Sequence, residues 1–191
     1  MHRFNHEAMA TTFEIVVADQ TDEAYARSAA TAVFADIDRL ESDLSRFRPD
    51  SDLARIRSLP ADSPLHVSLA TLDCLALSKD VATATKGAFD VAIAAVWEAW
   101  RAPDGSIRTP SPEELKPAGF SVRGSHIIDP RTRCPAPLTE AKDHVWACAP
   151  SAALADALST AFIVMSREEI DAFCAAHPDI EAILPERPKT R

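Results

Sequence analysis

Glycine is scarce in this chain, with 4 residues among 191. The four glycines, Gly87, Gly105, Gly119 and Gly124, are scattered and cannot form a glycine-rich phosphate loop. The sequence therefore excludes both a dinucleotide-binding fingerprint and a P-loop. Aromatic residues are also few, at 6%, and alanine supplies much of the apolar share. This composition favours helices that pack through small side chains.

Cysteine pairs, basic patches and long apolar runs are also lacking. Cys74, Cys134, Cys148 and Cys174 form no C-x-x-C pair, so the spacing argues against zinc and does not require disulfides. The net charge is −9 and no basic stripe is present, so we expect no nucleic-acid partner. The acidic balance instead fits a site in which carboxylates hold Mg²⁺.

Two targeting features are absent from the sequence. No stretch holds 18 uncharged apolar residues, and the first residues contain no apolar core of a signal peptide. We therefore expect no membrane span and a cytoplasmic protein whose thiols are reduced.

Hydrophobic periodicity predicts helices and short strands without a regular βαβ alternation, which indicates an α+β fold with a mixed or antiparallel sheet packed with helices. The predicted helices run from Asp22 to about Leu44, Ser51 through Ile56, Ser68 to about Lys86, Asp90 to Trp100, Ser151 through Met165 and about Arg167 to Ala176. The predicted strands are Thr12 to Ala18, His66 to Ser68, Phe120 to Val122, Ser125 to Ile128, Val145 to Cys148 and Ile180 to Leu184. We expect one domain over residues 1–184 and a loose tail over residues 185–191.

Asp156 and Thr160 lie four residues apart inside an apolar helical segment, so their oxygens point from one stripe of the helix. Both are poor residues for a helix interior. A carboxylate and a hydroxyl at this spacing are suited to a hard cation such as Mg²⁺. The alternative is a surface stripe in which the Thr160 hydroxyl bonds back to its own helix.

Three other segments carry polar groups in turns. His126 and Arg131, around the Asp129-Pro130 turn, are suited to a phosphate or a ring edge; the alternative is a turn closed by an Asp129–Arg131 contact. In the segment 45–52, two arginines flank Phe47 and are suited to stack on a nucleotide; the alternative is a capped helix junction with solvated arginines. The segment 85–90 is a helix–turn–helix joint whose exposed backbone amides can bind a ligand; the alternative is a simple helix C-cap.

His2 and His6 share the i, i+4 spacing of metal ligands. They stand close to the first residue, where we expect a frayed segment. We therefore do not assign them to a site.

Five segments taken in order resemble the FAD:protein FMN transferase (ApbE) family. They are Met9-Ala10-Thr11-Thr12-Phe13, SRFRPDSDLARI from Ser45, TKGAFD from Thr85, HIIDPRT from His126 and ADALSTAFIVM from Ala155. The last two are specific, and the resemblance covers most of residues 9–184. It implies Mg²⁺-dependent transfer of FMN from FAD to a Thr or Ser hydroxyl of an acceptor flavoprotein, with release of AMP.

The resemblance also implies site residues. Asp156 and Thr160 match metal ligands, and His126 and Asp156 match catalytic positions. The positions around the bound FAD are Met9, Phe47, Ala88, Phe89, Asp90, His126 and Ile127.

The chain departs from the family pattern in its centre. Only 35 residues, 91–125, separate TKGAFD from HIIDPRT, and the D-L-G-G-I-A-K-G-Y-A-like segment, with its metal-binding carbonyl and its Lys, is missing. Ala10 and Arg133 also stand where glycine is usual, and we expect their side chains to hinder a close backbone approach. Two alternatives stay open: a non-catalytic flavin-binding or protein-interaction descendant, and a chain completed by a second copy or another protein.

Overall fold

The computed structural model describes residues 1–18, 22–60, 63–93, 96, 99–104, 106, 108–111, 127–136 and 145–184. The chain divides into two compact units, Met1–Cys74 and Leu75–Arg191. In chain order the elements of the described residues are β1 (His2–Ala8), β2 (Thr11–Val17), α1 (Glu23–Leu44), α2 (Asp52–Ser58), α3 (Leu69–Ala84), β3 (Ile128–Asp129), β4 (Cys134–Pro135), β5 (Trp146–Cys148), α4 (Ala152–Val164), α5 (Arg167–Ala176) and β6 (Glu181–Ile183). None of the helices in these ranges is long and apolar enough to cross a bilayer.

The first unit begins with an antiparallel hairpin of β1 and β2. Its register runs from the pair His2–Val17 to the pair Ala8–Thr11, and exposure alternates along both strands. The expectation of a frayed start at His2 and His6 is therefore wrong, because these residues lie in a paired strand. His6 stacks on Phe34 of α1 with ring centroids 4.8 Å apart, and its Nε2 lies 2.7 Å from Asp38 Oδ1.

The turn of this hairpin consists of Met9 and Ala10, which have φ values of +51° and +58°. Positive φ at both central residues is what a two-residue type I′ turn requires, and it matches the twist of the two strands. A Cβ disfavours this conformation. The Met9 amide donates to Glu41 Oε1 at 2.9 Å and thereby ties the turn to α1.

Replacing Ala10 by glycine is expected to stabilise the protein by about 1 kcal/mol, because glycine adopts positive φ without the steric cost of a Cβ. Urea unfolding monitored by circular dichroism measures the change. The matched control is Ala35→Gly at an exposed position of α1, which is expected to cost about 1 kcal/mol. A destabilised Ala10→Gly protein would contradict the assignment of strain to this turn.

Helices of the first unit begin at polar caps, as the sequence predicts. The Asp22 side chain accepts the Tyr25 amide at the start of α1, and the Ser51 hydroxyl accepts the Ala54 amide at the start of α2. Ser68 caps α3, since its hydroxyl accepts the Thr71 amide at 3.1 Å. These side chains satisfy backbone donors that have no partner within the helix.

The second unit is built around α4, whose buried face carries Leu158, Ala161 and Phe162. Its hydrophobic cluster also contains Val81 of α3 and Phe173 of α5. The strands pair antiparallel in this unit, β3 with β4 and β5 with β6. The α+β prediction, with helices and small antiparallel sheets, is confirmed.

The described residues correct several predicted boundaries. Residues 66–68 form no strand, because the Ser68 amide donates to the Asp52 carboxylate at 2.7 Å instead of to a sheet partner. Helix α3 ends at Ala84, and Gly87 follows with φ +80°. In the predicted helix from Asp90 to Trp100, residues 91–93 form a turn and residues 96 and 99 are helical. The predicted strand from Phe120 to Val122, the start of the strand from Ser125 and the tail 185–191 lie outside the described residues.

Candidate active site

Helix α4 presents the predicted metal pair on its outer face. The helix begins at Ser151, whose hydroxyl accepts the Leu154 amide at 3.2 Å. Leu158 and Ala161 point into the core, whereas Asp156 and Thr160 are exposed. The 3.6-residue period of the helix therefore separates an apolar inner face from a polar stripe.

The Thr160 hydroxyl donates to the Asp156 backbone carbonyl at 3.3 Å, which is the back-bonding contact of the alternative interpretation. Its oxygen lone pairs remain available to a ligand. The Asp156 carboxylate has no hydrogen-bond partner among the described residues.

The oxygen donors of Asp156 and Thr160 fit the binding of a hard cation that takes its other ligands from water and substrate. Among the described residues, no cluster of three or more His, Cys, Asp or Glu side chains is suited to a metal. Asp156 and Thr160 supply oxygen donors only, which suits a hard cation. Mg²⁺ in proteins is commonly held by one or two carboxylates together with water and substrate phosphates rather than by a complete protein cage. The pair fits such an ion when a phosphate-bearing substrate completes its ligands.

Ser159 fixes the orientation of α4, a role that the sequence analysis missed. Its hydroxyl accepts a hydrogen bond of 2.9 Å from the backbone amide of Ala147 in β5. Because Thr160 is the next residue, this bond also sets the direction in which the polar stripe faces. A serine within an apolar helix next to the metal pair was the available signal.

The segment 85–90 forms a tight turn after α3. The Thr85 hydroxyl is buried, donates to the Val81 carbonyl at 2.7 Å and accepts the Phe89 amide at 3.2 Å. Lys86 and Gly87 have positive φ. This geometry buries the Ala88 side chain in the core and leaves Asp90 exposed. The Asp90 carboxylate accepts the Ala92 amide at 2.7 Å.

Residues 127–132 of the motif HIIDPRT include β3 and lead into the β3–β4 turn. Ile127 accepts the Ala136 amide at 2.7 Å, and the Arg133 amide donates to the Asp129 carbonyl at 2.7 Å. Arg133 has φ +59°, so the backbone is left-handed at this position although no glycine is present. His126, the predicted catalytic residue, lies outside the described residues.

Arg131 joins this turn to the α4–α5 junction. Its guanidinium donates to both Asp129 oxygens at 3.1 and 3.0 Å, to Glu169 Oε1 at 2.8 Å and to the Val164 carbonyl at 3.4 Å. The bonds to Asp129, and after them the bonds to Glu169, raise the pKa of Arg131. The Asp129–Arg131 alternative is therefore confirmed, and the guanidinium is directed to these carboxylates.

Three predicted flavin-side residues of the second unit share one environment with α4. Ala88 belongs to the same hydrophobic cluster as Leu158 and Phe162, and Phe89 and Ile127 pack against it. The structure thus brings the segment 85–90, Ile127 and the helix of the metal pair into one packed body. Close packing of this kind fixes the spacing of the side chains on its surface.

The two predicted residues of the first unit are exposed. Met9 lies in the hairpin turn, and Phe47 follows α1 with 78% of its surface exposed. The guanidinium carbon of Arg46 lies 4.3 Å from the centroid of the Phe47 ring. Arg48 pairs with Asp50 at 2.9 Å. An exposed aromatic ring stacked on a cation is a suitable surface for another planar group.

A groove of about 440 Å³ in the second unit contains none of the predicted site residues. Its lining includes Lys86, Met165, Phe173 and His177, and the rings of the last two stack with centroids 4.3 Å apart. The predicted flavin and metal positions therefore do not coincide with this groove.

Comparison with known proteins identifies the family. The model of the ApbE family matches residues 9–123 and 118–184. The chain belongs to the ApbE family. No curated protein matches its sequence.

Solved structures of ApbE proteins resemble the chain in fold. The flavin transferase ApbE from Vibrio cholerae is 16% identical with a TM-score of 0.71, covering 96% of this chain and 92% of its own. Its H257G mutant has the same identity and coverage with a TM-score of 0.76. The apo flavinyl transferase ApbE from Pseudomonas stutzeri is 24% identical with a TM-score of 0.48, and the match spans 60% of this chain and 37% of that chain. At 16% identity, the likeness of the two Vibrio cholerae structures concerns the fold.

Membership in the ApbE family confirms the resemblance read from the five motifs, and the fold likeness confirms the expected ApbE-like architecture. The assignment of Asp156, Thr160 and the flavin-side residues stays a prediction.

Proposed function

We propose that this ApbE-family chain is an Mg²⁺-dependent FAD:protein FMN transferase. The hydroxyl oxygen of a Thr or Ser in an acceptor flavoprotein forms a bond to the phosphorus of the FMN half of FAD. The bond from that phosphorus to the bridging oxygen breaks, AMP leaves with the oxygen, and the hydroxyl loses its proton.

One observation carries the proposal. The exposed Asp156–Thr160 pair stands on a helix that shares its hydrophobic cluster with Ala88, Phe89 and Ile127. By resemblance, these are metal-side and flavin-side positions, and a substrate with a pyrophosphate between a riboflavin group and an adenosine group needs both. Phosphoryl transfer depends mainly on such positioning and on charge stabilisation.

The roles follow from the side chains. Asp156 and Thr160 would hold Mg²⁺, which, when bound, neutralises charge on the pyrophosphate. Ala88 is a flavin-side position by resemblance and is buried in the core. Phe89 and Ile127, which are partly buried beside it, offer apolar contact. Asp90, Met9 and Phe47 are further flavin contacts by resemblance. His126, with Asp156, is proposed as catalytic.

AMP release tests this proposal. The protein is incubated with FAD and Mg²⁺, with and without a synthetic peptide that bears a Thr, and AMP is followed by chromatography. We expect AMP to appear with the peptide and to disappear when EDTA removes the metal. The absence of AMP in the complete mixture would refute the transferase.

A second candidate rests on the short centre of the chain. The family's Lys-bearing segment is missing from residues 91–125, and this favours a descendant that binds flavin without chemistry. Flavin fluorescence distinguishes the two functions. Quenching on mixing without AMP release supports the binding protein, whereas quenching with AMP release supports the transferase.

A further inference from the structure

Three segments of the second unit meet at the Arg131 side chain. The guanidinium bonds to Asp129 at the end of β3 and to Glu169 and the Val164 carbonyl at the α4–α5 junction. The third segment is the turn 85–90, where a Cβ built on Gly87 would lie 3.7 Å from Arg131 Cγ. The Arg131 stem therefore lies beside this turn, and its charged end bonds to the other two segments.

The geometry of this contact is rigid. The guanidinium meets Asp129 through two parallel hydrogen bonds, which fix its plane. The Asp129 side chain is only 12% exposed, and it also accepts the Arg131 backbone amide at 2.9 Å. Glu169 is held from its other side, because its Oε2 accepts the Ser166 amide at 2.7 Å in a capping box. A planar side chain between two fixed carboxylates holds one relative position of the segments.

The segments that Arg131 joins are those to which the predicted site residues belong. The turn 85–90 contains Ala88, Phe89 and Asp90, and Ile127 directly precedes β3. Val164 ends α4, one helical turn beyond Thr160. Arg131 itself has its donors directed to protein oxygens, so it is not arranged as a direct phosphate ligand.

We propose that Arg131, acting through Glu169, is a positioning residue that holds the flavin-side turn and strand in register with the metal-bearing helix. This inference rests on the proposed function, since it explains the contacts of Arg131 with Asp129 and Glu169 by FAD binding. Loss of the hydrogen bond between Arg131 and Glu169 lets the α4–α5 junction shift relative to the two flavin-side segments. The affinity for FAD falls because the flavin and the pyrophosphate of one FAD molecule can no longer reach the flavin-side and the metal-side contacts at the same time.

Glu169→Gln tests the inference with little change elsewhere. The carbonyl oxygen of the new glutamine can still accept the Ser166 amide, and the Asp129–Arg131 pair stays intact. The matched control is Glu168→Gln, which removes the same charge one residue earlier on α5, from a side chain that is not a partner of Arg131. Arg131→Lys is a further variant, since lysine cannot bond to both carboxylates through a planar fork.

FAD affinity is measured by quenching of flavin fluorescence with Mg²⁺ present, at a temperature well below the midpoint of thermal unfolding of every variant. Under this condition all variants are folded, so a loss of stability alone does not change the dissociation constant. We expect Glu169→Gln and Arg131→Lys to raise it about 10-fold and Glu168→Gln to leave it within about twofold.

The outcomes separate the two proposals. If the wild-type protein binds FAD and Glu169→Gln binds it as tightly, the positioning role is wrong and the proposed function stands. An equal loss in Glu169→Gln and Glu168→Gln also overturns the role, since it indicates an effect of net charge. If the wild-type protein does not bind FAD, the proposed function fails and the inference fails with it.

Discussion

Asp156→Ala is expected to lower the rate of FMN transfer by about 100-fold or more, because it removes the carboxylate that would hold the metal against the substrate pyrophosphate. Asp156 is exposed on α4 and its carboxylate has no partner among the described residues. Alanine is also the better helix former, so the variant is expected to unfold at a temperature no lower than the wild-type protein. AMP release and thermal unfolding, measured on the same preparation, separate activity from stability.

Two variants of Thr160 test whether its hydroxyl is the second metal ligand. Thr160→Val keeps the shape of the side chain and its helix propensity but removes the hydroxyl oxygen, whereas Thr160→Ser retains that oxygen. We expect valine to raise the Mg²⁺ concentration for half-maximal activity about 10-fold and serine to change it less than about threefold. Equal effects of valine and serine would show that the hydroxyl is not a ligand.

Asp52→Ala is expected to lower the free energy of unfolding by about 3 kcal/mol, since it leaves buried donors without an acceptor. One carboxylate oxygen of Asp52 accepts the Ser68 amide at 2.7 Å and the Thr71 hydroxyl at 2.9 Å. The other accepts Arg55 Nη1 at 3.0 Å. The side chain is 8% exposed, so water does not replace these bonds. Those from Ser68 and Thr71 join the start of α2 to the start of α3.

The same contacts make stability depend on pH. The Ser68 amide first, and the Thr71 and Ser68 side chains and Arg55 after it, lower the pKa of Asp52. A carboxylate with a lowered pKa stabilises the folded state above its ordinary pKa near 4, and this contribution is lost as the pH falls toward the folded-state pKa. We therefore expect the wild-type protein to lose stability below about pH 4 and Asp52→Asn to lose less over the same interval.

Urea unfolding at pH 7 and at pH 3.5 measures both effects. Asp73→Asn, at an exposed position of α3, is the control for the loss of one carboxylate. It is expected to change the free energy of unfolding by less than about 0.5 kcal/mol. If Asp52→Ala and Asp73→Asn had similar effects, the buried contacts of Asp52 would not be the source of the stability.

Local chemistry made part of the fold predictable. Asp22 and Ser51 cap their helices because a short acceptor side chain before an apolar helical pattern satisfies the first free amides. Gly87 has the positive φ expected of a residue that ends a helix. Periodicity within α4 separated its core face from Asp156 and Thr160 without any tertiary information.

Other features depend on contacts that are distant in sequence. Strand β1 was not predicted because its inward positions include His2 and His6, whose polar side chains hide the alternation. His6 contacts Phe34 and Asp38 of α1, which are distant in sequence. The strand expected at His66 does not form because the Ser68 amide donates to Asp52, which lies 16 residues before Ser68 in the sequence. The pairing of β5 with β6 across α4 and α5 likewise has no local signal.

The candidate site also combines features with a local sequence signal and features that depend on contacts distant in sequence. The motifs predicted Asp156, Thr160 and the segment 85–90 as parts of the site, since each falls within one of the five ordered segments that resemble the family. They did not reveal that Glu169 bonds to Arg131, 38 residues away, or that Ser159 orients α4 through the Ala147 amide. Ala10 and Arg133 retain positive φ, so the backbone is left-handed at these positions despite the missing glycines.

The most direct test of the proposed transfer is the mass of an acceptor peptide after incubation with the protein, FAD and Mg²⁺. The account predicts that a peptide bearing a single Thr gains the mass of one FMN group for each AMP released, and that the same peptide with Ala in place of Thr gains none. A Thr peptide of unchanged mass, in a mixture where FAD is bound, would contradict FMN transfer and leave flavin binding as the function of this chain.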